Sequence, residues 1–115
     1  MLPKKFRLKK KSQFNFVYRK GNKSFLKTIT LVFVKTKLST PKIGFSISKK
    51  IGNAVVRNKV KRRMRESFKS LLGKVDFGYN YVFIAREGIE KQSFEEVRSS
   101  MEQAVIKAGL FHDKV

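Results

Sequence analysis

The stretch Lys49–Glu66, with the sequence KKIGNAVVRNKVKRRMRE, contains a short glycine-bearing turn followed by a helix rich in arginine and lysine. At about 100° per residue, the apolar side chains of this helix fall within one arc of roughly 120°. The arc contains Val56, Val60, Met64, Ser67, Phe68 and Leu71. The pattern predicts a helix over about 55–72, ended by Gly73, that packs on a core through one face and keeps its cations on the other.

The cations of this helix have few acidic neighbours, since only Glu66 lies within the stretch. Like charges four residues apart cost about a few tenths of a kcal/mol each, and a helix that is merely solvated would alternate its signs. Regularly spaced cations instead suit the phosphates of a polyanion. Lys49 and Lys50 precede the helix N-terminus, whose free N–H groups also favour an anion. The residues predicted to bind RNA are Lys49, Lys50, Arg57, Asn58, Lys59, Lys61, Arg62 and Arg65.

The charge of the whole chain points to the same kind of partner. Its 115 residues include 28 Lys and Arg but only 8 Asp and Glu, for a formal net charge of +20. Residues 1–65 contain 21 of the basic residues and none of the acidic ones. Self-repulsion on this scale is tolerable when the usual partner is a dense anion, and nucleic acid is the leading candidate. The length predicts one RNA-binding domain over 1–115, with residues 1–11 as a basic N-terminal arm that includes Arg7, Lys9 and Lys10.

The sequence offers little for catalysis by protein side chains. There is no Cys, which excludes disulfides and thiolate metal sites, and the single histidine, His112, lies beyond the last predicted helix. No run of 18 apolar residues exists, and the N-terminus lacks the apolar core of a signal peptide. We therefore expect no catalytic side chain, no cofactor or metal bound by the protein, no membrane partner and a cytoplasmic location.

Hydrophobic periodicity predicts the elements around the basic helix. They are a helix over about 13–20 capped by Ser12, a short strand or irregular edge over 22–26, strands over 28–37, 42–48 and 79–86, and a last helix that begins at a capping box of Ser93 and Glu96. The strands over 28–37 and 42–48 are expected to form an antiparallel hairpin. The order predicts an α+β fold, a two-layer sandwich with one sheet, in which residues 42–86 form a strand–helix–strand unit.

A set of side chains near the N-terminus suggests a second binding surface. Phe14, Val17 and Tyr18 share one face of the first predicted helix. With Val32 or Phe33 on the long strand, they are candidates to line a groove in which unpaired nucleotides stack. Tyr18 is favoured because its hydroxyl suits a wet margin. The alternative, that these side chains belong to the core, stays open for each of them.

The run Ser48–Glu66 resembles the signature of the protein subunit of bacterial ribonuclease P. Nearly the whole chain shares this resemblance. The matching segments outside the run are Arg7–Lys10, Phe14 and Tyr18 at matching offsets, the 42–48 strand, and Tyr81–Arg86 with its final Ala-Arg. Two positions depart from the family pattern: Lys59 stands where the family has arginine, and Val32 stands where relatives often have an aromatic residue.

The resemblance implies the element order αβββαβα, a four-stranded sheet and a left-handed strand–helix–strand crossover. It also implies a catalytic RNA partner that uses bound Mg²⁺ to hydrolyse the phosphodiester at the mature 5′ end of tRNA. The protein is then expected to contact this RNA and the single-stranded 5′ leader of precursor tRNA, without an obligate protein partner. The groove residues assigned to the leader are Phe14, Val17, Tyr18 and Val32.

Three other functions stay open at this point. A ribosomal or other structural RNA-binding protein would bind its RNA and have no effect on precursor cleavage. A DNA-binding module would read bases with the basic helix, whose almost purely cationic outer side distinguishes base pairs poorly. A protein-only nuclease would cut RNA with Mg²⁺ in the absence of an RNA subunit.

Overall fold

The computed structural model describes residues 3–37 and 39–112. Its helices and strands in chain order are α1 (Lys11–Lys20), β1 (Asn22–Phe25), β2 (Ile29–Lys35), β3 (Ile43–Ser46), α2 (Ala54–Leu71), β4 (Tyr79–Ala85) and α3 (Phe94–Lys107). This order confirms the predicted αβββαβα arrangement with a four-stranded sheet. Residues 1 and 2 of the predicted basic arm lie outside the described residues, as do residue 38 and residues 113–115.

The last strand of the chain lies inside the sheet, which has the order β1-β2-β4-β3. β2 pairs antiparallel with β1 and β4, and β3 pairs parallel with β4, where Phe45 lies beside Phe83. The predicted hairpin of the 28–37 and 42–48 strands is therefore wrong, because β4 separates them. An inner strand needs apolar side chains on both faces. Tyr81 and Val82 supply these in β4, whereas β3 carries Gly44 and suits the edge.

One face of the sheet is sealed by α2 and α3. The predicted apolar arc of α2 is buried except at its start, where Val56 is half-buried. The ring of Phe68 lies 6.2 Å from that of Tyr81 and 5.5 Å from that of Phe83, measured between centroids. Met101 of α3 is buried in the same cluster. This face holds the main core of the protein and fixes the position of α2.

The basic helix begins and ends close to the predicted residues. Asn53 caps it, since its Oδ1 accepts a hydrogen bond from the Val56 N–H at 3.0 Å. At the other end, a 3₁₀ turn over Leu72–Lys74 follows the helix directly. The predicted stop at Gly73 therefore falls inside this turn, because the chain tightens before it leaves the helix.

The two shorter helices differ in how well their starts were predicted. The capping box of α3 is confirmed: Ser93 Oγ accepts from the Glu96 N–H at 3.2 Å, and Glu96 Oε1 accepts from the Ser93 N–H at 2.9 Å. The predicted cap of the first helix at Ser12 is wrong. Gln13 Oε1 instead accepts from the backbone N–H groups of Lys9–Lys10, which starts α1 two residues earlier and places Ser12 inside it.

The other face of the sheet is only partly covered. The short helix α1 packs there on a small buried cluster that includes Val17, Val32 and Val82. Val34 and Ile84 of the same face stay half-buried. The sheet with α2 and α3 thus forms the predicted two-layer sandwich, and α1 adds a partial layer with an open groove beside it.

The described part of the basic arm is packed against the edge strand. Phe6 and Leu8 are each 8% exposed, and the Leu8 N–H donates to the Ile43 carbonyl at 2.9 Å. Lys42 Nζ also donates to the Lys5 carbonyl at 2.7 Å. The alternation of apolar and basic residues in the arm therefore has a physical meaning: the apolar residues anchor it and the lysines remain at the surface.

Candidate nucleic-acid interface

The outer side of α2 and the turn before it carry the residues predicted to bind RNA, which we call the α2 surface. The exposed members are Lys49, Lys50, Asn58, Lys59 and Arg62. The half-buried members, spaced four residues apart along one flank, are Arg57, Lys61 and Arg65. Because the opposite face of α2 is fixed in the core, these charges have defined positions relative to one another.

The turn before α2 fixes the side chain of Arg57. Gly52 has a φ of 158°, a conformation essentially restricted to glycine, and a Cβ there would lie 2.8 Å from Val56 Cγ1. Its carbonyl accepts a hydrogen bond from Arg57 Nε at 3.2 Å. That bond uses one of the five N–H groups of the guanidinium. Gly52 therefore allows the chain to turn tightly enough to hold Arg57 at the start of the helix.

Three cations converge where α2 meets the arm, and we call them the junction cluster: Arg7, Lys61 and Arg65. They line a cavity of about 60 Å³ together with Phe14 and other residues. Partial burial, followed by the charges of Arg65 and Arg7, lowers the pKa of Lys61. Partial burial and then Arg7 lower the pKa of Arg65. An anion bound here would relieve this repulsion, which makes the junction cluster a candidate phosphate site.

Not every cation of α2 belongs to this surface. Arg63 Nη1 donates to the Gln92 carbonyl at 2.8 Å, which ties α2 to the segment before α3. Asn58 and Arg62 instead line a surface depression with the flank residues and Glu66. The structure thus separates a structural arginine from the RNA-binding candidates.

Three of the four residues predicted to line a groove lie on α1, at the open face of the sheet. Phe14 and Tyr18 are half-buried, with ring centroids 6.4 Å apart and planes inclined by 50°. Phe14 lies directly over Gly44, where a Cβ would overlap its ring. The close approach of α1 to β3 therefore depends on this glycine, and both rings keep part of their surface exposed.

Two of the residues predicted to line the groove are almost completely buried. Val17 is 1% exposed and Val32 is 0% exposed. The end of α1 lies so close to β2 that a Cβ on Gly21 would be 2.7 Å from Val32 Cγ1. Val17 and Val32 therefore pack beneath the rings of Phe14 and Tyr18 rather than beside them at the surface, which corrects their assignment. The alternative, Phe33, packs on Tyr79 at the sealed face, with centroids 6.1 Å apart.

A further depression, which the sequence patterns did not single out, lies near the end of β4. It has a volume of about 510 Å³, and Lys27 and Lys50 contribute to its lining. Phe25 there is 56% exposed, and Arg86 Nε donates to Thr30 Oγ1 at 3.0 Å. An exposed ring beside several cations is a composition that suits nucleotides. Only the sheet order brings these residues together.

The described residues hold no group of three or more His, Cys, Asp or Glu side chains that could bind a metal ion. His112 lies 3.7 Å from Asp76, at Nε2 and Oδ2, away from the basic surfaces. Within the same part of the chain, no helix combines the length and the apolar character that crossing a membrane requires.

Comparison with known sequences identifies close relatives. A family described as Ribonuclease P matches residues 2–109. The ribonuclease P protein component of Clostridium botulinum (strain Eklund 17B / Type B) is 39% identical over 116 residues, which cover 95% of this chain and 93% of the relative. That of Bacillus cereus (strain 03BB102) is 40% identical over 111 residues, covering 95% and 96%. None of these names indicates a ribosomal or DNA-binding protein.

Comparison with solved structures gives the same result. The RNase P protein of Staphylococcus aureus superposes with a TM-score of 0.85 at 30% identity, covering 93% of this chain and 98% of the other. The RNase P protein of Thermotoga maritima superposes with a TM-score of 0.79 at 25% identity, covering 86% and 94%. With its basic helix, its half-covered sheet and these relatives, the chain belongs to the ribonuclease P protein family.

Proposed function

We propose that this chain is the protein component of ribonuclease P and acts by binding two RNAs at once. The α2 surface holds the catalytic RNA, and the groove beside Phe14 and Tyr18 holds the 5′ leader of precursor tRNA. The observation that carries this proposal is the junction cluster, which lies between the two surfaces and borders both. A phosphate bound there belongs to a strand that passes from one surface to the other.

The chemistry in this proposal belongs to the RNA subunit, which uses Mg²⁺ to hydrolyse the phosphodiester at the start of the mature tRNA. The protein contributes fixed positive charge. Its cations reduce the repulsion between the phosphates of substrate and catalyst, so that less Mg²⁺ is needed to fold and operate the RNA. Arg57 is suited to this because the Gly52 carbonyl already orders its side chain.

The groove supplies selectivity for precursor over product. Phe14 and Tyr18 lie side by side with their planes inclined by 50°, so each ring offers its own stacking surface for an unpaired base. Mature tRNA has lost the leader and makes no contact there. The groove therefore lets precursor compete with product, and the half-buried rings, rather than the fully buried valines beneath them, make the contact.

We also infer that the enzyme works in the cytoplasm, where its RNA partners are made, and that it needs no second kind of protein. The second inference is supported by the two surfaces, which account for the RNA subunit and the substrate. Reconstitution from this chain and one RNA tests the second of them directly.

Cleavage of a leader-bearing tRNA by a bacterial ribonuclease P RNA at low Mg²⁺ tests the proposed function. We expect the protein to restore cleavage, and a variant with Arg57, Lys61 and Arg65 all changed to Gln to require more Mg²⁺. If about six phosphates are engaged, the logarithm of RNA affinity should fall with log salt at a slope of about −4 to −5. A slope near zero, or no restoration of cleavage, would contradict the proposal.

A further inference from the structure

We propose that the basic arm forms a second phosphate-binding surface, which extends the α2 surface and holds the backbone of the folded catalytic RNA rather than the leader. The surface is an open depression of about 340 Å³, which we call the arm pocket. It is lined by Lys4, Lys5, Arg7, Lys9, Lys10, Gln13 and Lys42. This inference rests on the proposed function, because it names a further contact with the same RNA.

The charge of the arm pocket is unusual even for this chain. Every lining residue is a cation except Gln13, and no acidic side chain contributes to the lining. Clustering so many like charges raises the free energy of the folded protein. Isolated surface lysines would relieve that repulsion by spreading apart, whereas here the backbone keeps them together. A bound polyanion removes this repulsion, and the free energy released adds to its affinity for the protein.

The arm pocket is held in shape by specific contacts. Buried Phe6 and Leu8 anchor the arm, and a 3₁₀ turn over Lys4–Phe6 shortens it. Lys42 reaches across the pocket to the Lys5 carbonyl, and Gln13 orders the backbone of the two lysines before α1. Because the segment is ordered before it binds, less conformational entropy is lost when the lysines engage phosphates.

The arm pocket continues into the RNA-binding surface already described. Arg7 lines both the arm pocket and the cavity of the junction cluster. Lys61 and Arg65 of that cluster in turn line the depression on α2. A series of cations therefore runs from the arm to the outer side of the helix, where Glu66 also lines the depression, and this series matches an RNA backbone that crosses from one to the other.

The side chains in the arm pocket favour a folded RNA over a single-stranded leader. Single strands are held by aromatic rings on which bases stack. No aromatic ring lines the arm pocket, since Phe6 is buried in the core and Phe14 lies over Gly44. Lysines act as point charges for phosphates and carry no base specificity. The pocket thus has the chemistry of backbone contact alone.

A matched pair of triple variants tests this proposal. In the first, Lys4, Lys9 and Lys10 are changed to Gln; their side chains are exposed and the buried anchors stay in place. In the control, Lys35, Lys74 and Lys91 are changed to Gln, which removes the same charge from exposed positions outside the three basic depressions and the groove. Thermal unfolding of both variants checks that each one folds.

The measurements are the affinity of each variant for a ribonuclease P RNA as a function of salt, and the affinity of each assembled holoenzyme for precursor and mature tRNA. We expect the arm variant to bind the RNA about tenfold or more weakly, with a salt slope smaller in magnitude by roughly 2 to 3. We expect the control to change much less and the ratio of precursor to mature affinity to stay constant in both.

Equal losses in the two variants would overturn the proposal, because charge alone would then explain them. A loss confined to precursor affinity would also overturn it and assign the arm pocket to the leader. Either result is separate from a failure of the proposed function, in which the unmodified protein itself would neither bind the RNA nor restore cleavage.

Discussion

The two faces of the sheet are built from the same strands and serve different ends. On the sealed face, Tyr81 and Phe83 are buried beneath two helices. On the open face, their neighbour Val82 is buried but Ile84 is only half-buried beside the short helix α1. Alternation along a strand thus lets one face supply stability while the other, left partly uncovered, supplies a groove.

The sealed face should tolerate change least. We expect Phe68→Ala to destabilise the protein by about 3–5 kcal/mol, because it leaves a cavity between two strand rings and α3. Thermal or denaturant unfolding measures this loss. Phe16→Ala is the matched control, since Phe16 is 46% exposed on α1 and should cost far less. Similar losses for both would mean that the two faces do not differ in this way.

Substitutions on the outer side of α2 should weaken binding of the catalytic RNA and leave the stability of the protein almost unchanged. We expect Arg57→Ala to weaken binding of the catalytic RNA by about 1–3 kcal/mol, because it removes a guanidinium that is already ordered. Equilibrium binding at fixed salt measures this change. Arg63→Ala is the comparison: Arg63 bonds to the Gln92 carbonyl, so its removal should lower stability more than RNA affinity.

Substitutions on the open face should change only the preference for precursor over mature tRNA. We expect Tyr18→Ala to weaken precursor binding by about 1–2 kcal/mol through the loss of stacking, with little change for mature tRNA. Competition between the two tRNAs for the assembled enzyme measures the ratio directly. Tyr18→Phe should retain most of the affinity. Equal weakening of both tRNAs would show that the groove does not recognise the leader.

The smallest expected effect is a change in stability from a substitution on the sealed face itself. Ser67 is 0% exposed and its hydroxyl lacks a hydrogen-bond partner among the described residues. A buried hydroxyl without a partner carries a desolvation cost. We therefore expect Ser67→Ala to be neutral or to stabilise the protein by about 1 kcal/mol, as measured by unfolding. A loss of stability would indicate that the hydroxyl has a role in packing that its contacts do not reveal.

The sequence predicts the helices and strands better than it predicts which strands pair with one another. The periodicity of α2 and the capping box of Ser93 are local, so both were predicted from a few adjacent residues. Strand pairing depends on contacts between distant residues, and the natural assumption that consecutive strands pair led to the wrong hairpin. The position of β4 follows only when the burial of both its faces is considered.

The same limit applies to the candidate site. The residues of the α2 surface follow from helical spacing, and their positions are as expected. The junction cluster does not follow from helical spacing, because Arg7 reaches Lys61 and Arg65 only through the docking of the arm on β3. Val17 and Val32 show a different error. Their spacing was compatible both with a groove and with the core beneath it, and only the packing of α1 on the sheet shows that they belong to the core.

The junction cluster also bears on how the free protein behaves before it meets RNA. To reach the native state the chain must bring Arg7, Lys61 and Arg65 together, and partial burial with their mutual repulsion lowers the pKa of Lys61. We expect a small multivalent anion such as sulfate or phosphate to bind the native chain in preference to the unfolded one and so to raise its melting temperature. The charges that suit an RNA phosphate thus lower the stability of the free chain, and a bound anion offsets that loss.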